Sequence, residues 1–152
     1  MKKLIAVIGG REVDADSEQL AFEVGEEIAR RGFGLVCGGM GGVMEAASRG
    51  CKQAGGLTVA LIPQDDPAFA NPYSDIVIPT GLGIARNLLI IRAAQGVVAI
   101  DGKYGTLSEI AYALQLGKPI AGINTWQVAP EIYAAKSAKE SLDYLVKKLK
   151  PF

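Results

Sequence analysis

No histidine occurs among the 152 residues. That absence removes imidazole general-base catalysis, Ser-His dyads and ordinary His-ligated zinc. Acid-base chemistry is left to carboxylates, lysine, tyrosine or cysteine. Cysteine is scarce too. Cys37 and Cys51 have no metal-ligand spacing, and both lie in runs of apolar or small residues. They read as buried free thiols in a reducing compartment. Net charge is also missing, since 16 Lys plus Arg balance 16 Asp plus Glu. No general attraction for nucleic acid or an anionic membrane follows from such a balance. Long hydrophobic runs are lacking as well. The start MKKLIAVIGGRE is basic, but its apolar stretch is LIAVI, too short for a signal peptide, and no segment approaches a transmembrane span. The expectation is a cytoplasmic protein with neither a nucleic-acid nor a membrane partner.

Apolar residues make up 49% of the chain, and mean hydropathy is +0.23. That is the composition of a globular protein, and the length suits one domain over 1–152 with a real core. Short apolar runs alternate with segments of helical period. LIAVIGG, FGLVCGG, LTVALIP, DIVIPTG, GVVAIDG and KPIAGIN read as six strands, with EIYAA as a short edge strand. Between them, Leu20, Val24 and Ile28 mark a first helix that Asp16 can cap and Gly32 stops. A second helix begins near Gly41. It carries Ala46, Ala47, Gly50 and Ala54, a small face suited to close packing on a sheet, and ends at Gly55-Gly56. A third is expected over 83–95, and a fourth has the stripe Leu107, Ile110, Ala111 and Leu114. Ser137 with Glu140 makes a capping box for the last helix, striped by Leu142, Leu145, Val146 and Leu149, with KKLK at its C-terminal end.

Continuous apolar strands imply burial on both faces, as in a parallel sheet covered by helices. The architecture is therefore α/β: a doubly wound, Rossmann-like three-layer sandwich with a mostly parallel six- or seven-stranded sheet. Its strand order is expected to reverse between the first and fourth strands. Ligands in such folds bind beyond the carboxyl ends of the strands. Glycines collect at that edge: GGRE with Gly10, CGGMGG, TGLG and DGKYGT. Glycine lets backbone N–H groups approach a phosphate, and a helix N-terminus adds partial positive charge. The bland alternative is that βα turns simply favour glycine. Neither an ordinary dinucleotide fingerprint nor a Walker lysine pattern is present.

CGGMGGVMEAASRG resembles the G-G-G-x-x-G-x-M segment of the Lonely Guy family, and DGKYGTLSE resembles its P-G-G-x-G-T-x-x-E. That family comprises cytokinin-activating phosphoribohydrolases, also called lysine decarboxylase-like proteins. Molybdenum cofactor carrier proteins are close relatives. The resemblance runs from the first strand through the sixth. It implies a Rossmann-like nucleotide-binding fold and a homodimer or homotetramer. Carried over by position, Gly38, Gly39, Gly42 and Met44 match the first motif, and Gly102, Tyr104, Gly105, Thr106 and Glu109 the second. Arg86, in GIARNLLIIR, falls where the hydrolases have an arginine that works with the motif glutamate, and Asn87 stands where they have lysine. Asp101 replaces the motif's proline, Lys103 its second glycine, and Ser108 a further glutamate. Asp101 can oppose an anionic ligand or bind a ribose hydroxyl. These departures point toward the carrier-like branch.

Two functions stay open on this reading. One is a binding protein for a phosphate-bearing nucleotide-like ligand, a nucleoside monophosphate or a molybdopterin-type cofactor carried as cargo. The other is a phosphoribohydrolase that cleaves the N-glycosidic bond of nucleoside 5′-monophosphates, with Arg86 and Glu109 catalytic. No metal ligands are expected. Each residue also has a bland explanation. Thr106-x-x-Glu109 has the form of a capping box. Arg86 lies in a helix apolar nearly all round and needs a partner: a carboxylate such as Glu109, a carbonyl, or a ligand anion. Arg11, Lys103 and Tyr104 read as solvated loop residues, and Trp126 as a core or interface residue.

Overall fold

The structure, a computed structural model, describes residues 1–149. Its seven strands are β1 (Leu4–Gly9), β2 (Gly34–Cys37), β3 (Thr58–Ile62), β4 (Ile76–Pro79), β5 (Gly96–Ile100), β6 (Ile120–Ile123) and β7 (Ile132–Ala134). They form one sheet in the order β4-β3-β2-β1-β5-β6-β7. Every pairing is parallel. β1 and β5 lie in the middle, and β5 is buried along its whole length. Their unbroken apolar runs are what a strand covered on both faces requires.

The reversal of strand order falls between β1 and β5, not between the first and fourth strands as the sequence suggested. The chain winds outward from β1 through β2 and β3 to β4, then crosses back to the other side of β1. β4 is a four-residue edge strand whose Ile76 and Ile78 are nearly half exposed. It is too short and too open to be a central strand.

Five α-helices cover the sheet. α1 (Ala15–Arg30), α2 (Val43–Gln53) and α5 (Ala138–Lys148) share one apolar core with one face. α3 (Asn87–Ala93) and α4 (Tyr104–Gln115) share a second core with the other face. The small face of α2 serves a different neighbour from the one expected. A Cβ on Gly50 would lie 2.0 Å from the carbonyl oxygen of Phe22, so this glycine brings α2 against the backbone of α1, not only against the sheet.

Local signals set the helix ends, with shifts. Asp14, not Asp16, caps α1, its carboxylate accepting from Ser17 N at 2.8 Å. Asp16 sits inside the first turn, where negative charge also suits the helix dipole. Ser137 caps α5 as expected and accepts from Glu140 N at 3.1 Å. Within α5, Leu142 and Leu145 are buried while Val146 is exposed. Lys147 and Lys148 occupy its last turn, and Lys150 lies outside the described residues. The helix expected over 83–95 is a 3-10 turn, Gly83–Arg86, followed by the short α3.

α4 departs most. It starts at Tyr104, after Lys103, with no side-chain cap. Thr106 is thus already inside the first turn, and the Thr106–Glu109 capping box does not form. Its inward face also differs from the expected stripe. Thr106, Glu109, Ile110 and Ala113 face inward, and Ala111 is exposed.

Candidate functional site

Between β1 and β5 the strand order reverses, and the carboxyl ends of the two strands open into a cleft of about 600 Å³. β1 supplies Gly9 and Gly10, followed by Arg11 and Glu12. The loop after β5 supplies Asp101, Gly102 and Lys103, and the start of α4 supplies Gly105, Thr106 and Glu109. Gly83, Ile84, Arg86 and Asn87 close one side, with Met44 and Pro63.

The loop after β5 is held in an unusual shape. Asp101 has φ 53°, in the left-handed region that few non-glycine residues enter. Gly102 follows at φ 98°, and a Cβ there would lie 2.2 Å from Thr106 Oγ1. Only glycine lets this backbone fold down onto the threonine. The amides of residues 102–106 donate to no described residue. Leu107 N is the first to donate, to the Lys103 carbonyl at 3.0 Å. Thr106 is 3% exposed, and its hydroxyl has no hydrogen-bond partner among the described residues. A helix start that offers free N–H groups and an open threonine hydroxyl to one cleft is an anion-binding arrangement.

Arg86 and Glu109 are both buried on the cleft wall. The ion pair expected between them is not formed among the described residues. Arg86 Nε donates to the Leu61 carbonyl at 2.9 Å, Nη2 to the Gly38 carbonyl at 3.3 Å, and Nη1 to Asn87 Oδ1. Carbonyls at the ends of β2 and β3 thus take the place of the carboxylate. Glu109 keeps only an electrostatic interaction with Arg86. Burial pushes its carboxyl up to about 8, and the attraction of Arg86 offsets part of that rise. At neutral pH Glu109 is therefore mostly protonated, a neutral donor. Burial also raises the Cys37 thiol, which packs behind Gly39 with Sγ 3.5 Å from Ser48 Oγ.

The structure brings together at this cleft Gly10, Met44, Arg86, Asp101, Gly102, Gly105, Thr106 and Glu109. Four other candidates lie elsewhere. Gly38 packs against Arg86, where a Cβ would meet Nη2 at 2.6 Å. Gly39 packs against Ala60 and Ile62. Gly42 lines a smaller neighbouring pocket of about 340 Å³. Tyr104 is 81% exposed and sits outside the cleft. The cleft adds residues that the sequence left unassigned or read as solvated: Arg11, Glu12, Ile84, Asn87 and Lys103. Asn87 ties Arg86 to α4, since its Nδ2 donates to Ser108 Oγ at 3.2 Å and that hydroxyl donates to the Gly105 carbonyl at 2.6 Å. The signal for Asn87 was present: a polar residue beside an arginine in an otherwise apolar helix. Among the described residues no group of side chains is suited to hold a metal ion, and no helix is long and apolar enough to cross a membrane.

The comparisons fit this geometry. A protein from Archaeoglobus fulgidus whose function is uncharacterized is 39% identical over 142 residues, covering 93% of each chain. A cytokinin riboside 5′-monophosphate phosphoribohydrolase from Mycobacterium tuberculosis is 34% identical over 125 residues, 74% of this chain and 65% of that protein. Among solved structures, the molybdenum cofactor binding protein of Rippkaea orientalis superposes with a TM-score of 0.90 at 32% identity, covering 97% of each chain. The molybdenum cofactor carrier protein of Chlamydomonas reinhardtii gives 0.87 at 30%, covering 98% of each. The model of the SLOG cluster4 family matches residues 2–150. The chain belongs to the SLOG cluster4 family, in the Lonely Guy-like superfamily and nearer its molybdenum cofactor carrier branch.

Proposed function

We propose that this protein binds a phosphate-bearing, nucleotide-like ligand in the β1–β5 cleft and holds it without turnover. The ligand is a nucleoside monophosphate or a molybdopterin-type cofactor carried as cargo. The observation that carries this reading is the loop whose amides 102–106 donate to no described residue, beside the unpartnered hydroxyl of Thr106, with residues 102, 103, 105 and 106 lining one cleft. A phosphate satisfies those donors; Arg11 and Lys103 at the same cleft add positive charge, against which stand the carboxylates of Glu12 and Asp101. A cavity of about 600 Å³ is of the size that takes a fused-ring base or pterin with its phosphate. The binding and carrier functions of the two structural neighbours support the same reading.

Phosphoribohydrolase activity is the second reading, favoured by the presence of Arg86 and Glu109 at one cleft. The chemistry of the pair divides. A carboxyl that is mostly protonated at neutral pH does not stabilise an oxocarbenium-like ribose as a carboxylate, yet it is the form in which a general acid protonates a leaving base. Arg86 meanwhile directs its donors to Leu61, Gly38 and Asn87.

Two experiments test the choice. Mass spectrometry of the freshly purified protein should find a copurifying phosphate ester. Incubation with AMP and with an N6-substituted AMP should release no free base while binding is retained. Base release that Glu109→Gln abolishes would establish the hydrolase instead. The same reading includes self-association: Leu82, Ile84 and Leu89 with the edge-strand Ile76 and Ile78 are exposed apolar residues suited to a second copy of this chain. A reducing cytoplasm suits the two free thiols.

A further inference from the structure

The loop between β6 and β7 does not line the cleft, yet it grips the cleft's anion-binding loop from outside. Thr125 Oγ1 donates to the Asp101 carbonyl at 2.6 Å. Trp126 Nε1 donates to the Lys103 carbonyl at 3.0 Å, and the same carbonyl accepts Leu107 N. Trp126 is partly buried against the core, with its ring 6.4 Å from that of Tyr104. Asp101 N is held in turn by the Ile123 carbonyl at 3.3 Å.

A trans peptide is planar, so the carbonyl of one residue points opposite to the N–H of the next. Fixing the Asp101 carbonyl toward Thr125 therefore aims the Gly102 N–H the other way. Fixing the Lys103 carbonyl toward Trp126 does the same for the Tyr104 N–H. Both amides belong to the unpaired run at 102–106. A donor on the carbonyl side also polarises the peptide and strengthens its N–H as a donor. Thr106, a buried residue whose hydroxyl has no partner among the described residues, lines the same cleft. We propose that Thr125 and Trp126 are positioning residues that aim the backbone amides after β5 at the ligand's phosphate. They touch no ligand themselves and act through the loop they hold.

The inference rests on the phosphate-binding reading, and the test separates the two. Calorimetry measures the affinity of the intact protein for inorganic phosphate and for AMP, in wild type, Thr125→Val, Thr125→Ser and Trp126→Phe. Thr125→Val and Trp126→Phe should each weaken both ligands alike by roughly two- to tenfold, the loss of one ordinary hydrogen bond. Thr125→Ser, which keeps the hydroxyl, should bind as wild type does. If Thr125→Val fails to fold, Trp126→Phe carries the test alone, since it keeps an aromatic ring beside Tyr104 while removing the indole N–H together with the five-membered ring that bears it. Unchanged affinity in the folded variants overturns the brace and leaves the phosphate site standing. Weaker AMP binding with unchanged phosphate binding overturns it too, because the residues would then act on the base. A wild type that binds neither ligand refutes both readings. Trp126 is the single tryptophan of the chain, so its emission should shift when phosphate binds to wild type or Thr125→Ser.

Discussion

Replacing Glu109 with glutamine should stabilise this protein in alkaline buffer and leave it nearly unchanged in acid. Glu109 is 7% exposed as a residue and forms no ion pair with a described residue, and its carboxyl is raised from 4.5 to about 8 by burial. Between those two pH values the folded chain keeps a proton that the unfolded chain has released. The stability linked to that proton is fully present below about pH 4.5, falls as pH rises, and is gone above about pH 8. At about 1.4 kcal/mol per pH unit, that interval sets a ceiling of about 5 kcal/mol. Water entering the cleft beside the carboxylate lowers the figure, so a loss of about 2–5 kcal/mol is expected. Glutamine has nearly the same shape and never ionises. Urea titrations of both proteins between about pH 4 and 9 should therefore diverge steadily, with the variant more stable at the top of the range.

The opposite outcome is well defined. Were Glu109 the buried partner of Arg86, as the sequence alone suggested, glutamine would strand a buried cation and destabilise the fold by about 3–5 kcal/mol at neutral pH. Parallel pH profiles, or a variant less stable throughout, would refute the assignment of Glu109 as an unpaired neutral carboxyl.

Arg86→Lys should lower stability by roughly 2–4 kcal/mol in the same titrations, because an ammonium cannot reach the carbonyls of Leu61 and Gly38 in the way the guanidinium does. Gly102→Ala should lose phosphate and AMP binding by calorimetry and cost roughly 1–3 kcal/mol, since a Cβ would meet Thr106 Oγ1 at φ 98°. Ile84→Glu, at a side chain 86% exposed, should shift wild-type oligomers toward monomer in light scattering. A wild type that runs as a 15.9 kDa monomer at micromolar concentration would refute that expectation.

Features set by neighbouring residues were legible in the sequence. GVVAI is a strand buried on both faces because nothing in it tolerates water, and Ser137 caps α5 because its partner amide is three residues away. What depends on distant neighbours was not. IVIP reads as apolar as the central strands, yet it lies at the sheet edge, because a run of residues does not encode which strand lies beside it. Thr106-x-x-Glu109 satisfies the capping rule, but the backbone enters its helix at Tyr104, so the pair turns inward toward the cleft. The kind of partner Arg86 needs was legible, since a carbonyl was one of the acceptors open to it, but not which ones: the carbonyls of Leu61 and Gly38 lie 25 and 48 residues away, and Asn87 adds a side-chain acceptor.

That choice of partners bears on what the cleft is for. A fold selected for stability alone gains nothing from a buried carboxyl without a hydrogen bond, and a leucine or glutamine at position 109 would suit it better. Here the carboxyl, the Thr106 hydroxyl and the unpaired amides of residues 102–106 all meet at one cavity, while the one buried cation beside them is already satisfied by backbone. Their unmet capacity suits a guest with two features. It carries an anion for the amides and the hydroxyl, and an acceptor for the protonated glutamic acid. A phosphate joined to a nitrogen heterocycle has both, and binding it would complete hydrogen bonds that the protein leaves open.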